Sequence, residues 1–154
     1  MNVLNDTDKA YLAGFIDGEG YIGIVKQKKY ANRSQSGSWL YHPWVVITST
    51  DPNIINDLYD IVSIGKKVLQ RRTGVYKDAH QLKITNHGDI INLLTEIKPY
   101  LRIKKVHADL LIKFCLERKS KIINTGRGSR GKTTFGIIDE KYFQNLKILN
   151  KKGK

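Results

Sequence analysis

The chain has 154 residues, is 40% hydrophobic, and sets 27 Lys and Arg against 14 Asp and Glu for a formal charge of +13. That length suits one domain with its own core, and the apolar content excludes a disordered chain. The charge surplus points to a polyanion, most often nucleic acid, with a merely solubilising surface or a ribosomal-type protein as the alternatives. The one cysteine, Cys115 in "LLIKFCLERK", excludes an intrachain disulfide and reads as a buried apolar residue. His42, His80, His87 and His107 show no zinc-site spacing. A polar N-terminus and the lack of a membrane-length apolar run predict a soluble, intracellular protein with no membrane partner.

In chain order, the acidic cluster Asp6, Thr7, Asp8 suits a helix start, and the helix is expected to run to about Asp17. "GYIGIVKQKKY" alternates as a strand, "ANRSQSGS" is turn-rich, and "WLYHPWVVITS" returns as the second strand of a long hairpin. Pro43 in that strand predicts an edge position or a bulge. "DPNIINDLYDIVSIG" is a helix with Asp51 as cap, Pro52 in the first turn, an apolar stripe of Ile54, Ile55, Leu58, Ile61 and Val62, and Gly65 closing it. "KKVLQRRTGVYKDAHQLKIT" reads as a second hairpin with strands near 66–72 and 80–85. Helices follow at "GDIINLLTEI", at "KKVHADLLIKFCLERK" and near 139–149. The order defines an α+β fold, αββαββα with C-terminal helices, as a single domain over 1–154 whose four strands form one antiparallel sheet.

"GRGSRGKT", Gly126 to Thr133, matches the phosphate-loop pattern G-x-x-x-x-G-K-[ST]. That loop works between a buried strand and a helix in a parallel sheet. "KIINT" before it could be a short strand, but the hairpins argue against a parallel core and too little chain follows for a magnesium-binding acid. Arg127, Arg130 and Lys132, with Thr133, instead suit contacts with nucleic-acid phosphates, or form a solvated loop.

"YLAGFIDGEG", Tyr11 to Gly20, combines an apolar helical segment, three glycines and two acids. The small neighbours Ala13 and Gly14 would let two copies of the helix approach closely, flanked by Leu12, Phe15 and Ile16 as anchors. Gly18 and Gly20 can end the helix and turn the chain into a strand. Asp17 and Glu19 lie at the helix's negative end, where the macrodipole disfavours acids. Paired across a dimer, such acids call for a divalent cation held by carboxylate and carbonyl oxygens.

The segment resembles the signature of the LAGLIDADG homing endonucleases, and the order of one motif, ββ, helix, ββ and C-terminal helices is similar along the whole chain. The resemblance implies the endonuclease fold and, for a chain with one motif, a homodimer with Ala13, Gly14 and Asp17 at its interface. Glu19 matches the metal-binding acid and Gly18 the residue lending a carbonyl to the metal, while Asp17 matches an acid that is mostly structural. A basic active-site residue corresponds to Lys104, with Lys105 its neighbour, and a water-positioning residue at the end of the second strand corresponds to Ser49. The implied cofactor is magnesium or manganese, with calcium supporting binding without cleavage. The implied reaction cuts double-stranded DNA across the minor groove at a long, near-palindromic site and leaves short 3′ overhangs.

Recognition would come from the sheet, because an antiparallel ribbon fits the major groove and period-two alternation turns one face toward DNA. Counting from the motif selects Gln27 and Lys29, His42 and Trp44, Gln70 and Arg72, then Gln81 and Lys83, with Arg33 at the hairpin tip. Arg72 and Lys29 suit guanine and the glutamines adenine; Trp44 suits either DNA or the core. Two rivals stay open within the same fold, an intron RNA maturase and a non-cleaving nucleic-acid-binding protein.

Overall fold

The structure is a computed structural model that describes residues 1–28, 39–125 and 135–151, of which 121–125 and Phe135 by backbone alone. Lys29, Arg33, Arg130 and Lys132, with the rest of Gly126 to Thr133, lie outside the described residues. The elements are α1 (Asp6–Glu19), β1 (Gly20–Lys28), β2 (Trp39–Ser49), α2 (Pro52–Val62), β3 (Lys66–Gln70), β4 (Ala79–Ile84), α3 (His87–Ile97), α4 (Lys105–Thr125) and α5 (Phe135–Leu149). The four strands form one antiparallel sheet in the order β1-β2-β4-β3.

Local signals set the helix ends. Asn5, one residue before the expected acidic cluster, caps α1 by accepting the Asp8 N–H at 2.8 Å. Asp51 accepts the Asn53 N–H at 2.9 Å, ahead of Pro52. Asn86 caps α3 by accepting from Gly88 and Asp89. α2 ends at Ser63 in the left-handed region, φ 50°. Gly65 follows at φ +86°, where a Cβ would also stand 2.8 Å from the Lys83 carbonyl oxygen, so only glycine fits there.

Register divides the sheet. Ile22 faces Val45, Val45 faces Ile84 and Ile47 faces Leu82, and all of these join one core with Leu12, Ile16, Leu58, Leu94 and Phe114 from the helices. The alternate residues form the opposite, outer face: Tyr21, Gly23, Val25 and Gln27 on β1, then Leu40, His42, Trp44, Val46 and Thr48 on β2. Gln81 and Lys83 continue it on β4, and Lys66, Val68 and Gln70 on β3. Pro43 pairs with Ile24 in continuous register, beyond the stretch of β2 that β4 covers, so its missing N–H costs no ladder bond on the β4 side.

Three expectations change. β3 stops at Gln70, so Arg72 lies in the connecting segment, where its N–H donates to the Asp78 carboxylate at 2.9 Å instead of to a strand. α4 runs on to Thr125, making "KIINT" helical. The phosphate-loop lookalike thus follows a helix, and the described sheet is antiparallel throughout, so the context that loop needs is missing. α1 continues through Gly18, and Gly20 alone marks its end. Among the described residues no helix is long and apolar enough to cross a membrane, and Cys115 is buried, its thiol pushed up to about 12 by burial.

α5 is fastened to β1 and β2 by charge. Glu140 accepts from Lys26 at 2.7 Å and from the Tyr41 hydroxyl, while the Lys26 ammonium sits 4.5 Å from the Trp39 ring centre. The Lys26 contact, then Tyr41 and Gln144, hold the Glu140 carboxyl down at about 2. A folded-state pKa below the unfolded one adds stability above the unfolded value and loses it as pH falls toward the folded one. Thermal melts should therefore show Glu140→Gln less stable than wild type at neutral pH, with the gap closing as pH drops from about 5 to about 2.

Candidate active site at the end of helix α1

Glycine at position 20 follows from space rather than from an unusual backbone angle. A Cβ there would stand 2.7 Å from the Ile16 Cα and carbonyl oxygen, because β1 leaves α1 in an extended conformation directly over the last turn. The tight exit leaves Glu19 exposed at the helix end, one residue before the sheet begins.

The two acids of the motif have different surroundings. The Asp17 carboxylate accepts three backbone N–H groups, from Arg102 at 2.7 Å, Lys104 at 2.8 Å and Ile103 at 3.2 Å, and so closes the turn that leads into α4. Burial pushes its pKa up, but those N–H groups and the Lys104 charge outweigh this, and the net pKa lies below the usual carboxylate value. Lys104 returns the contact: its ammonium donates to the Ile16 carbonyl oxygen at 2.8 Å, which also accepts the Gly20 N–H, and to that of Asp17 at 2.5 Å, in the last turn of α1. Burial lowers the Lys104 pKa, against the opposing pull of Asp17 and Glu19. Of the two adjacent lysines, Lys104 reaches α1, whereas Lys105 is exposed.

Ser49 is level with this end of α1, two residues beyond the Ile47 that pairs with Gly20. Its Oγ accepts the Asp51 N–H at 3.0 Å, so its hydroxyl proton remains for another partner. Ala13, expected at an interface, is fully buried in its own core, and the Asp17 side chain is engaged within its own chain. The face that α1 leaves open is a shallow depression lined by Ala10, Tyr11, Gly14, Phe15, Gly18 and Glu19.

The donor chemistry fits a hard cation in kind. Glu19 offers an exposed carboxylate, and the helix C-terminus adds partial negative charge from its carbonyls, with Gly18 in that last turn. Asp17 is taken by backbone N–H groups, and no three His, Cys, Asp or Glu residues gather among the described residues. One chain thus supplies a single carboxylate, which suits magnesium, an ion that keeps several waters and takes one or two carboxylates together with substrate phosphates.

The outer face of the sheet starts beside this acid. It carries Gln27, His42, Trp44, Gln70, Gln81 and Lys83, all of which the alternation selected, and Arg72 alone of the described candidates falls off a strand. Gln81 donates to Gln70 Oε1 at 2.9 Å and to Thr48 Oγ1 at 3.4 Å, a chain across three strands. Counting passed over Tyr21, Thr48 and Lys66 on the same face. Tyr21 shares its parity with Gln27, so the same count would have reached it, whereas Lys66 needed the register of the second hairpin.

A capped helix that ends in an exposed acid thus feeds one antiparallel sheet in an α+β fold. The sequence matches the LAGLIDADG endonuclease family over residues 12–97, more than half of the chain, and the protein belongs to that family. Among solved structures it is similar to the homing endonuclease I-CvuI in complex with the I-CreI target in 2 mM magnesium, with that DNA not cleaved: TM-score 0.71, 19% identity, 97% of this chain and 88% of that one. It is also similar to the archaeal intron-encoded homing endonuclease I-Vdi141I complexed with DNA, at TM-score 0.68 and 18% identity over 97% and 87% of the two chains. At these identities the likeness is one of fold. A search of curated protein sequences gave no match.

The Asp17 clamp makes a direct prediction. Asp17→Asn replaces an acceptor-only carboxylate with an amide facing three N–H donors, and is expected to lower unfolding stability by about 2 kcal/mol in denaturant titration. An unchanged midpoint would show that the loop before α4 holds without it.

Proposed function

We propose that the protein is a site-specific, double-strand DNA endonuclease that acts as a homodimer with magnesium and leaves 3′ overhangs. The observation that carries this reading is the contrast between the motif's two acids: Asp17 is consumed by three backbone N–H groups, while Glu19 stands exposed with the Lys104 ammonium at the same helix end. An acid with no structural task beside a partly desolvated cation suits phosphodiester hydrolysis. A bound magnesium ion lowers the pKa of an attacking water and offsets charge on the leaving oxygen.

Glu19 and the Gly18 carbonyl would hold that ion. Lys104 adds positive charge near the reacting phosphate, and the free proton of Ser49 is in place to orient a water. The outer face of the sheet, from Gln27 to Lys83, would lie in the major groove and read base edges. Lys29, Arg33, Arg72, Arg130 and Lys132 are proposed contacts with base edges or phosphates near it. The proposal also draws on I-CvuI and I-Vdi141I, both described in complex with DNA, and on the description of I-CvuI with its target in 2 mM calcium.

Gly14 and Gly18 support the dimer. Each costs a helix about 1 kcal/mol relative to alanine, yet a Cβ at either would meet nothing within 4 Å in this chain. The demand for small residues on that face, four positions apart, comes from outside the protomer, and a second copy of α1 meets it. The dimer sets two Glu19 carboxylates near one axis, one for each strand.

Purified protein in magnesium, given a randomised-site plasmid library, is expected to make double-strand cuts at one enriched sequence. Glu19→Gln should lower cutting by about a thousandfold or more and leave binding in calcium intact. Selection of a site without cutting would assign a non-cleaving role instead. Gly14→Leu has room within its own chain, so it should fold, sediment as a monomer and lose cleavage; a dimeric, active variant would rule out this face as the interface.

A further inference from the structure

Trp44 and Lys83 share the outer face of the sheet and sit diagonally across β2 and β4. Lys83 pairs with Val46, and Trp44 is two residues away on the same strand as Val46. That spacing lets an aromatic ring and a long side chain meet. The Lys83 ammonium lies 3.1 Å from the centre of the Trp44 ring. The contact has a floor: Val46 is only 7% exposed yet stands outside the helix-side core, so outer-face side chains cover it. Opposite Trp44 on β1 is Gly23, and the Tyr21 ring occupies the space a Cβ there would need.

Among the described residues no anion is paired with Lys83: the ion pairs use Lys9, Lys26, Lys98 and Arg118, and the residue facing Lys83 on β3 is another cation, Lys66. Burial lowers the Lys83 pKa, in keeping with an ammonium already partly stripped of water. An indole face attracts a cation without offering it a hydrogen bond, so all three N–H donors stay available.

We infer that Trp44 is a positioning residue whose indole face holds the Lys83 ammonium on the DNA-facing surface, where Lys83 reads guanine in the target. This rests on the endonuclease reading above and adds a base to it. β2 and β4 are the two interior strands, so the pair faces the floor of the groove, where base edges lie, while phosphates flank the sheet's margins. An ammonium only donates, and guanine presents two acceptors together, O6 and N7, whereas adenine puts a donor beside its N7. Fixing the lysine beforehand removes rotamer freedom that would otherwise be lost on binding. Lys83 and Trp44 are level with Tyr21 and Gly23, two and four residues past Glu19, which at strand rise and base-pair spacing puts the guanine about two to four base pairs from the cut.

The test is sequencing of sites selected from a randomised DNA library by wild type, Lys83→Gln, Trp44→Leu and Trp44→Tyr. Wild type should enrich guanine at one symmetry-related position per half-site near the cut. Lys83→Gln should move that preference to adenine, and Trp44→Leu should weaken it about threefold to tenfold at that position alone. Trp44→Tyr keeps an aromatic face and should retain it; Trp44→Thr, a good strand former, replaces the leucine variant if that one misfolds. Guanine preference intact in Trp44→Leu, or every position weakened in parallel, would overturn the positioning role. A wild type that selects and cuts a site lacking this guanine overturns the pair alone, whereas a wild type that enriches no DNA overturns the endonuclease reading and this inference with it.

Discussion

The exchange of hydrogen bonds between the end of α1 and the turn leading into α4 is the contact on which the rest of the site depends. Asp17 supplies acceptors to the N–H groups of Arg102, Ile103 and Lys104, and Lys104 supplies donors to the last carbonyls of α1. The turn before α4 carries N–H groups that need an acceptor, and the last turn of α1 carries carbonyls that take the ammonium, so the two join as one closed unit. The exchange also sorts the charges. It takes Asp17 out of play, brings one ammonium to a helix end of negative potential, and leaves Glu19 as the acid without a task in the fold.

From that unit the sheet inherits its orientation. Gly20 allows β1 to depart over the last turn of α1, and the first outer-face residue, Tyr21, follows at once. Parity then runs unbroken through the pairings of β2, β4 and β3, because no bulge interrupts the register among the described strands. A one-residue slip of β2 would exchange Trp44 for Val45 and turn the outer side chains of that strand inward. The apolar contacts of Ile22, Val45, Ile47, Leu82 and Ile84 with the helices set against such a slip.

Sequence periodicity carried this far because alternation is local. Trp39–Ser49 was legible to its ends, and so was the outer-face set of Gln27, His42, Trp44, Gln70, Gln81 and Lys83. Arg72 was misplaced because Asp78, six residues on, captures its N–H, a turn contact that no alternation encodes. Ala13 looked available since a small residue beside Gly14 fits a helix interface, but which side of α1 meets its own core is decided by packing far along the chain. The clamp itself joins residues 87 apart, so its lysine could be singled out from the family pattern while its partners could not.

The distribution of acids completes the electrostatic picture. Among the described residues no acid occupies the outer face of the sheet, which bears Lys66, Lys83 and His42. Four carboxylates on the helices are paired with cations: Glu140 with Lys26, Asp139 with Arg118, Asp109 with Lys98 and Glu96 with Lys9. A net charge of +13 spread evenly would raise affinity for any polyanion and favour no sequence. Withholding acids from one face, while fixing its donors and acceptors through the Trp44–Lys83 contact and the Gln70–Gln81–Thr48 chain, gives that face both a positive potential and a rigid pattern of polar groups.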